Sequence, residues 1–151
     1  MQDYPSWPNL AAMMFTRARE WKARPMLRAR WGRIVNITTV AGKAPRARGL
    51  PTSVTRAAGI NLTKSLANEY AADNIRINTI CIGIVRTAQM ARRAKGDLEA
   101  HFAEQGRQRV PLGRVAHASE FADLFAFLVS DRASYITGAS INFDGGAGLT
   151  V

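Results

Sequence analysis

The sequence predicts an α/β domain built on a parallel sheet. Two observations carry this. Short apolar runs rich in β-branched residues, around Ile34, Ile77 and Ile141, read as buried strands. Between them lie longer stretches with helical periodicity, so strands alternate with helices, the pattern of crossover connections, for which a right-handed path is expected.

Taken in order, residues 10–30 mix apolar and basic side chains at near-helical spacing, and Pro25 is expected to end or kink that helix. The run "GRIVNITTVAG" follows, with Ile34, Val35 and Ile37 bounded by Gly32 and Gly42, and reads as the first strand. Residues 43–51, rich in Pro, Gly and Arg, read as a loop. The next segment is a helix whose Val54, Ala58, Leu62, Leu66 and Tyr70 repeat every four residues as one stripe, with Ser53 or Thr52 as its cap. A second strand spans residues 75–82 and turns at Gly83. Residues 86–111 are polar, with helical character over 97–107. A further helix covers 119–129, with Ser119 as its cap, and the last strand covers 139–143, left through Asp144-Gly145-Gly146.

Composition narrows the function classes. The 151 residues, 47% of them apolar, suffice for one domain, which buries roughly 68–70% of its unfolded surface. Cys81 is the only cysteine and His101 and His117 the only histidines, so no disulfide, cysteine cluster or zinc site is expected. There is no apolar run of about 18 residues and no leader pattern at the N-terminus, and the expectation is a soluble cytoplasmic protein without a membrane partner. The net charge of +10 is concentrated in Arg17, Arg19, Lys22, Arg24, Arg28, Arg30 and Arg33. No nucleic-acid-binding motif accompanies it, so these residues read as a solvated or subunit-facing surface rather than a nucleic-acid site.

Four blocks, "GRIVNITTVAG", "RAAGINLTKSLANEYAADNIRINTI", "VPLGRVAHASEFADLFAFLVSD" and "YITGASINFDGG", stand in an order that resembles the C-terminal half of the short-chain dehydrogenase/reductases, the family that includes 3-oxoacyl carrier-protein reductases. The resemblance covers residues 31–146. It implies a Rossmann-like doubly wound sheet, an NAD or NADP cofactor, and a small carbonyl or alcohol as substrate. In that family a glycine fingerprint after the first strand cradles the cofactor pyrophosphate, and this chain has none. By the resemblance the fold is therefore truncated, a single partial domain over residues 1–151. It is either a piece of a longer protein or a half-domain. Such a half would leave a sheet edge exposed and associate, as a homo- or hetero-oligomer with subunits of the same family.

The family's catalytic serine, tyrosine and lysine carry over to Thr39, Thr52 and Arg56, the last two thirteen and seventeen residues beyond the first. Thr39 keeps the hydroxyl that donates to a substrate carbonyl. Thr52 cannot replace a phenol whose pKa of about 10 is lowered by a nearby cation. Arg56 keeps the charge and a possible ribose contact, but it does not exchange protons at ordinary pH. Asn9 falls near the family's structural asparagine. Gly83, Val85 and Thr87, with Arg56, match parts of the cofactor wall. Tyr4, Tyr70 and Tyr135 offer no placed substitute for the tyrosine, His101 reads as a surface residue, and Cys81 as a buried strand residue. The expectation is an oxidoreductase-family chain that does not turn over alone. The other reading is a non-catalytic subunit that pairs with a complete dehydrogenase through the helices at 10–30 and 53–72.

Overall fold

The computed structural model describes residues 23–92, 94 and 97–150. Three parallel strands form its sheet in the order β1 (Gly32–Thr39), β2 (Ile75–Ile82), β3 (Ser140–Phe143). β1 and β2 pair along their whole length, from Gly32 opposite Ile75 to Thr39 opposite Ile82. β2 continues to β3 with Thr79 opposite Ser140 and Ile82 opposite Phe143. All three carboxyl ends therefore lie at one edge of the sheet, which in open α/β folds is where ligands bind.

β2 is the central strand, and its sequence says so: seven of its eight residues are buried, which requires cover on both faces. Alternation along the strand divides the core. On one face Ile75 and Ile77 pack with Ala67, Leu66 and Tyr70 of helix α2 (Thr52–Tyr70), and with Ile34, Met26 and Leu27. On the other, Ile80 and Ile82 meet Leu128, Leu124 and Phe121 of helix α5 (Ala118–Val129), together with Val35, Ile141 and Phe143. Each fully buried isoleucine contributes about 1.5–3 kcal/mol relative to exposure. Between these helices lie α3 (Ala88–Ala91) and α4 (Leu98–Arg109).

This arrangement corrects the expected handedness. The strands step in one direction, β1 to β2 to β3, yet α2 covers one face and α5 the other. Connections that step the same way across opposite faces have opposite hands, so only one of the two is right-handed. The second returns through α4 and α5 rather than a single short helix, so it does not follow the local strand-helix-strand twist behind the usual preference.

Local chemistry corrects four further expectations. Helix α1 (Ala23–Ala29) contains Pro25 instead of ending there, because a first-turn proline gives up an N–H that has no helical partner anyway. The part of the segment 10–30 before residue 23, and Asn9 with it, lies outside the described residues. Pro51, not Thr52 or Ser53, stands at the N-cap of α2, and Ser53 is buried. The α2 stripe is rotated: Ser53, Thr63 and Ala67 are the buried positions, the last two against the sheet, while Val54 and Ala58 face outward. At α5, Ser119 is inside the helix; the capping contact is made by Glu120, whose carboxylate accepts the His117 N–H at 2.8 Å.

Polar pairing explains the rotated stripe. The hydroxyl of Thr63 donates to the Gly59 carbonyl at 2.9 Å and accepts from Asn36 Nδ2 and Thr79 Oγ1, each at 2.7 Å. That uses one donor and both acceptor sites of the hydroxyl. A polar hub thus seats α2 on β1 and β2 where an apolar count would have placed leucines.

Candidate active site

The carboxyl ends of β1 and β2 frame a cavity of about 230 Å³, whose lining includes Thr39, Val40, Ala41, Ile82, Gly83 and Ile84. Residues 147–149, beyond β3, close one wall, and Arg46 and Arg109 reach in from the loop after β1 and from the end of α4. Most of the lining is small or apolar. The site is smaller than the roughly 300–1,000 Å³ of drug-sized pockets.

Thr39 ends β1 and stands at the N-cap of the 3-10 turn Val40–Gly42. Its extended backbone leaves the side chain free of capping, and its hydroxyl makes no hydrogen bond among the described residues. It is a donor facing the cavity with no competing acceptor. The turn then packs on α2: a Cβ on Gly42 would sit 2.9 Å from the Arg56 carbonyl carbon and 3.0 Å from Arg56 Cβ. Only a glycine permits that approach. It fixes the distance between the Thr39 strand end and the helix turn that carries Thr52 and Arg56. Thr38 adds a long contact, its hydroxyl donating to the Arg56 carbonyl at 3.5 Å.

Thr52 and Arg56 are nevertheless exposed and do not line the cavity. The Thr52 carbonyl accepts the Thr55 hydroxyl at 2.9 Å, and the Arg56 side chain has no polar partner among the described residues. The structure thus brings Thr39 and Gly83 together at the cavity and leaves Thr52 and Arg56 outside its wall. Val85 is buried in a parallel bridge with Ala116. Thr87 caps α3, accepting the Met90 N–H at 3.3 Å. Arg86, between them, pairs with Glu99 and lies over the Phe102 ring at 4.8 Å. His101 lies against Phe102 with the rings tilted at 57° and is not in the lining. Tyr70 belongs to the core, Tyr135 is fully exposed, and Cys81 is buried beside Ser140.

Comparison with known proteins decides the family. The family model described as enoyl-(acyl carrier protein) reductase matches residues 12–148. The chain belongs to the short-chain dehydrogenase/reductase family. This dehydrogenase-family chain is 38% identical over 123 residues to the 3-oxoacyl-(acyl-carrier-protein) reductase FabG of Aquifex aeolicus, covering 82% of itself and 48% of that protein. It is 39% identical over 128 residues to the oxidoreductase UcpA of Salmonella typhimurium, covering 82% and 49%. The chain therefore spans about half the length of the curated relatives it matches.

Among solved structures, L-sorbose reductase of Gluconobacter frateurii, complexed with NADPH and L-sorbose, superposes with a TM-score of 0.85 at 30% identity, over 94% of this chain and 57% of that one. An NADPH-bound short-chain oxidoreductase of Pseudomonas aeruginosa, described as containing an atypical catalytic center, superposes with a TM-score of 0.73 at 34% identity, over 78% and 46%. No helix among the described residues is long and apolar enough to cross a membrane.

Arg46 and Arg109 escaped the sequence reading because they come from segments more than sixty residues apart, and neither sits in a motif. The one signal available was the charge itself: no Asp or Glu occurs between Glu20 and Glu69.

Proposed function

We propose that this chain is the substrate-side portion of an NAD(P)-dependent short-chain oxidoreductase acting on a carbonyl or alcohol, and that it does not turn over by itself. One observation carries the reading: Thr39 presents an unengaged hydroxyl to a cavity at the strand ends, while Thr52 and Arg56 stand outside it. Thr39 holds the substrate oxygen by donating to it. Thr52 carries an alkyl hydroxyl where the family has a phenol, so among the described residues the acid-base half of the reaction lacks its group at that position.

The fit to a dinucleotide is partial. Val40, Ala41, Ile82 and Ile84 offer an apolar wall suited to a flat ring, and of the residues expected to face the cofactor Gly83 lines that wall while Arg56 stands outside it. Val85 is committed to its bridge and Thr87 to its cap. Among the described residues no glycine-rich turn leads from a strand into a helix beside the cavity. These residues do not by themselves hold a pyrophosphate.

The test is a turnover assay of the purified 151-residue chain with NADPH and short ketones. No oxidation of the cofactor above the blank is expected; measurable reduction of a ketone would overturn the reading.

A second reading, a subunit that assembles with a complete dehydrogenase, draws on β1. Among the described residues this strand is an edge of the sheet, its Ile37 is 50% exposed, and Val54 faces outward from α2. Edge strands with apolar side chains invite pairing. Co-purification with a longer chain of the same family supports this reading, and a monomer by light scattering removes it.

A further inference from the structure

We propose that the cavity selects an anionic substrate, a short carbonyl compound carrying a carboxylate, with Arg46 and Arg109 as the residues that read its charge. The proposal rests on the functional reading above and deepens it.

Among the described residues, Arg46 and Arg109 are the only ionisable side chains in the lining. Arg46 has no side-chain partner among the described residues. Arg109 donates only to the neutral Gln105 Oε1, at 3.1 Å. The acids that might have neutralised them are engaged elsewhere. Glu99 is held by Arg86, and Glu104 by Arg107 at 2.7 Å. Asp144 lies beside the closing wall, but its two oxygens accept the Gly146 N–H at 2.9 Å and the Gly148 N–H at 2.7 Å. On the β1 and α2 side the chain holds no acid at all between Glu20 and Glu69.

Two unneutralised guanidiniums at one small concave site focus a positive potential and raise the local concentration of anions. Their planar forks match a carboxylate, which an ammonium would meet only as a point charge. The rest of the lining is apolar or small, so it accommodates a short carbon chain in the same cavity as the Thr39 hydroxyl. A neutral ketone of the same size leaves both charges without a partner. That asymmetry is what makes the site selective.

The anion could be supplied by a substrate carboxylate or by a cofactor phosphate, and the experiment separates the two. The full chain, isotope-labelled, is titrated with acetoacetate, acetoacetamide, butanoate and NADPH, with backbone amide shifts of residues 39–49 and 105–114 as the readout. Acetoacetate is expected to bind at least about tenfold more tightly than acetoacetamide, to weaken as salt rises, and to lose about fivefold or more in each of Arg46→Gln and Arg109→Gln. Both side chains are exposed, so the variants keep their amide dispersion. Equal affinity for the acid and the amide, no binding of acetoacetate, or affinity unchanged in both variants overturns the proposal. So does NADPH binding that shifts these amides and is lost in the same variants, since the arginines then serve the cofactor. Butanoate binding as tightly as acetoacetate upholds the charge selection while removing the carbonyl reading on which Thr39 was assigned.

Discussion

Replacing Thr63 with valine isolates what holds α2 over the sheet. The substitution keeps the side-chain shape and removes a hydroxyl that accepts two hydrogen bonds and donates one. The Gly59 carbonyl loses little, because it retains its helical N–H partner. Thr79, fully buried, is left with an unsatisfied hydroxyl, which costs about 2 kcal/mol. Asn36 is half-buried and recovers part of its hydrogen bonding from water, a loss of about 1 kcal/mol. The added methyl returns up to about 0.8 kcal/mol. The expected net loss is about 2–3 kcal/mol, a fall of about 1–2 M in the urea midpoint at an ordinary slope. Equilibrium urea unfolding followed by far-UV circular dichroism measures it. Thr79→Val in the same background removes the orphaned hydroxyl, so the double variant should lose less than the sum of the singles. A Thr63→Val loss below about 0.5 kcal/mol, or strict additivity with Thr79→Val, would refute the claim that this hub seats the helix.

Three further outcomes are expected. Asp131 is 89% exposed but bridges two guanidiniums that are only 4% and 7% exposed, those of Arg33 and Arg76. Arg33 keeps the Gly32 and Asn74 carbonyls, whereas Arg76 has no other partner among the described residues and two unsatisfied nitrogens. Asp131→Ala should therefore cost about 1–3 kcal/mol in urea unfolding, and Arg76→Met should recover much of that loss by removing the stranded charge; no recovery would show that the pair does not act as a unit. At Glu120, hydrogen bonds from Arg114 and from the His117 N–H hold the carboxyl near pKa 2, below its usual 4.5. Its stabilising effect is complete above about pH 4.5 and is lost as pH falls toward 2, so Glu120→Gln should flatten the acid limb of a melting-temperature profile and leave the slope above pH 5 unchanged. At Gly106, a Cβ would lie 2.5 Å from Arg114 Cα and 2.8 Å from the Gly113 carbonyl oxygen, both backbone atoms that cannot swing away. Gly106→Ala should lower stability by about 1–3 kcal/mol; a neutral result in thermal unfolding would mean that α4 is free to shift from residues 113–114.

What was legible in the sequence follows from which forces shape each element. β2 was readable to the residue, because isoleucine recurs at 75, 77, 80 and 82 and only Arg76 interrupts an otherwise apolar and small-polar run over a strand covered on both faces. β3 and α5 were readable to within a residue for the same reason, their apolar faces meeting Ile80 and Val35. The face of α2 was not. Val54 and Ala58 suggested an apolar stripe, whereas the buried positions are Ser53, Thr63 and Ala67, set by hydrogen bonds to Asn36 and Thr79 that only the assembled sheet supplies. The site divides in the same way. Thr39 and Gly83 are found by position relative to strand ends, which local patterning marks. Arg46 and Arg109 line one cavity only because the loop after β1 and the end of α4 converge on it, and no local pattern encodes that convergence.

The ammonium of Lys43 donates to the Ser140 carbonyl at 2.8 Å and to Asn142 Oδ1 at 2.7 Å, groups 97 and 99 positions further along the chain. This clasp ties the turn that follows Thr39 to the last strand of the sheet. β1, α2 and β2 form one sequence-local unit, but Lys43 finds its acceptors only after β3 has docked, and a loop of that length closes slowly. The wall of the cavity that follows β1 therefore depends on β3 as well: a change that displaces the last strand also releases the turn beyond Thr39.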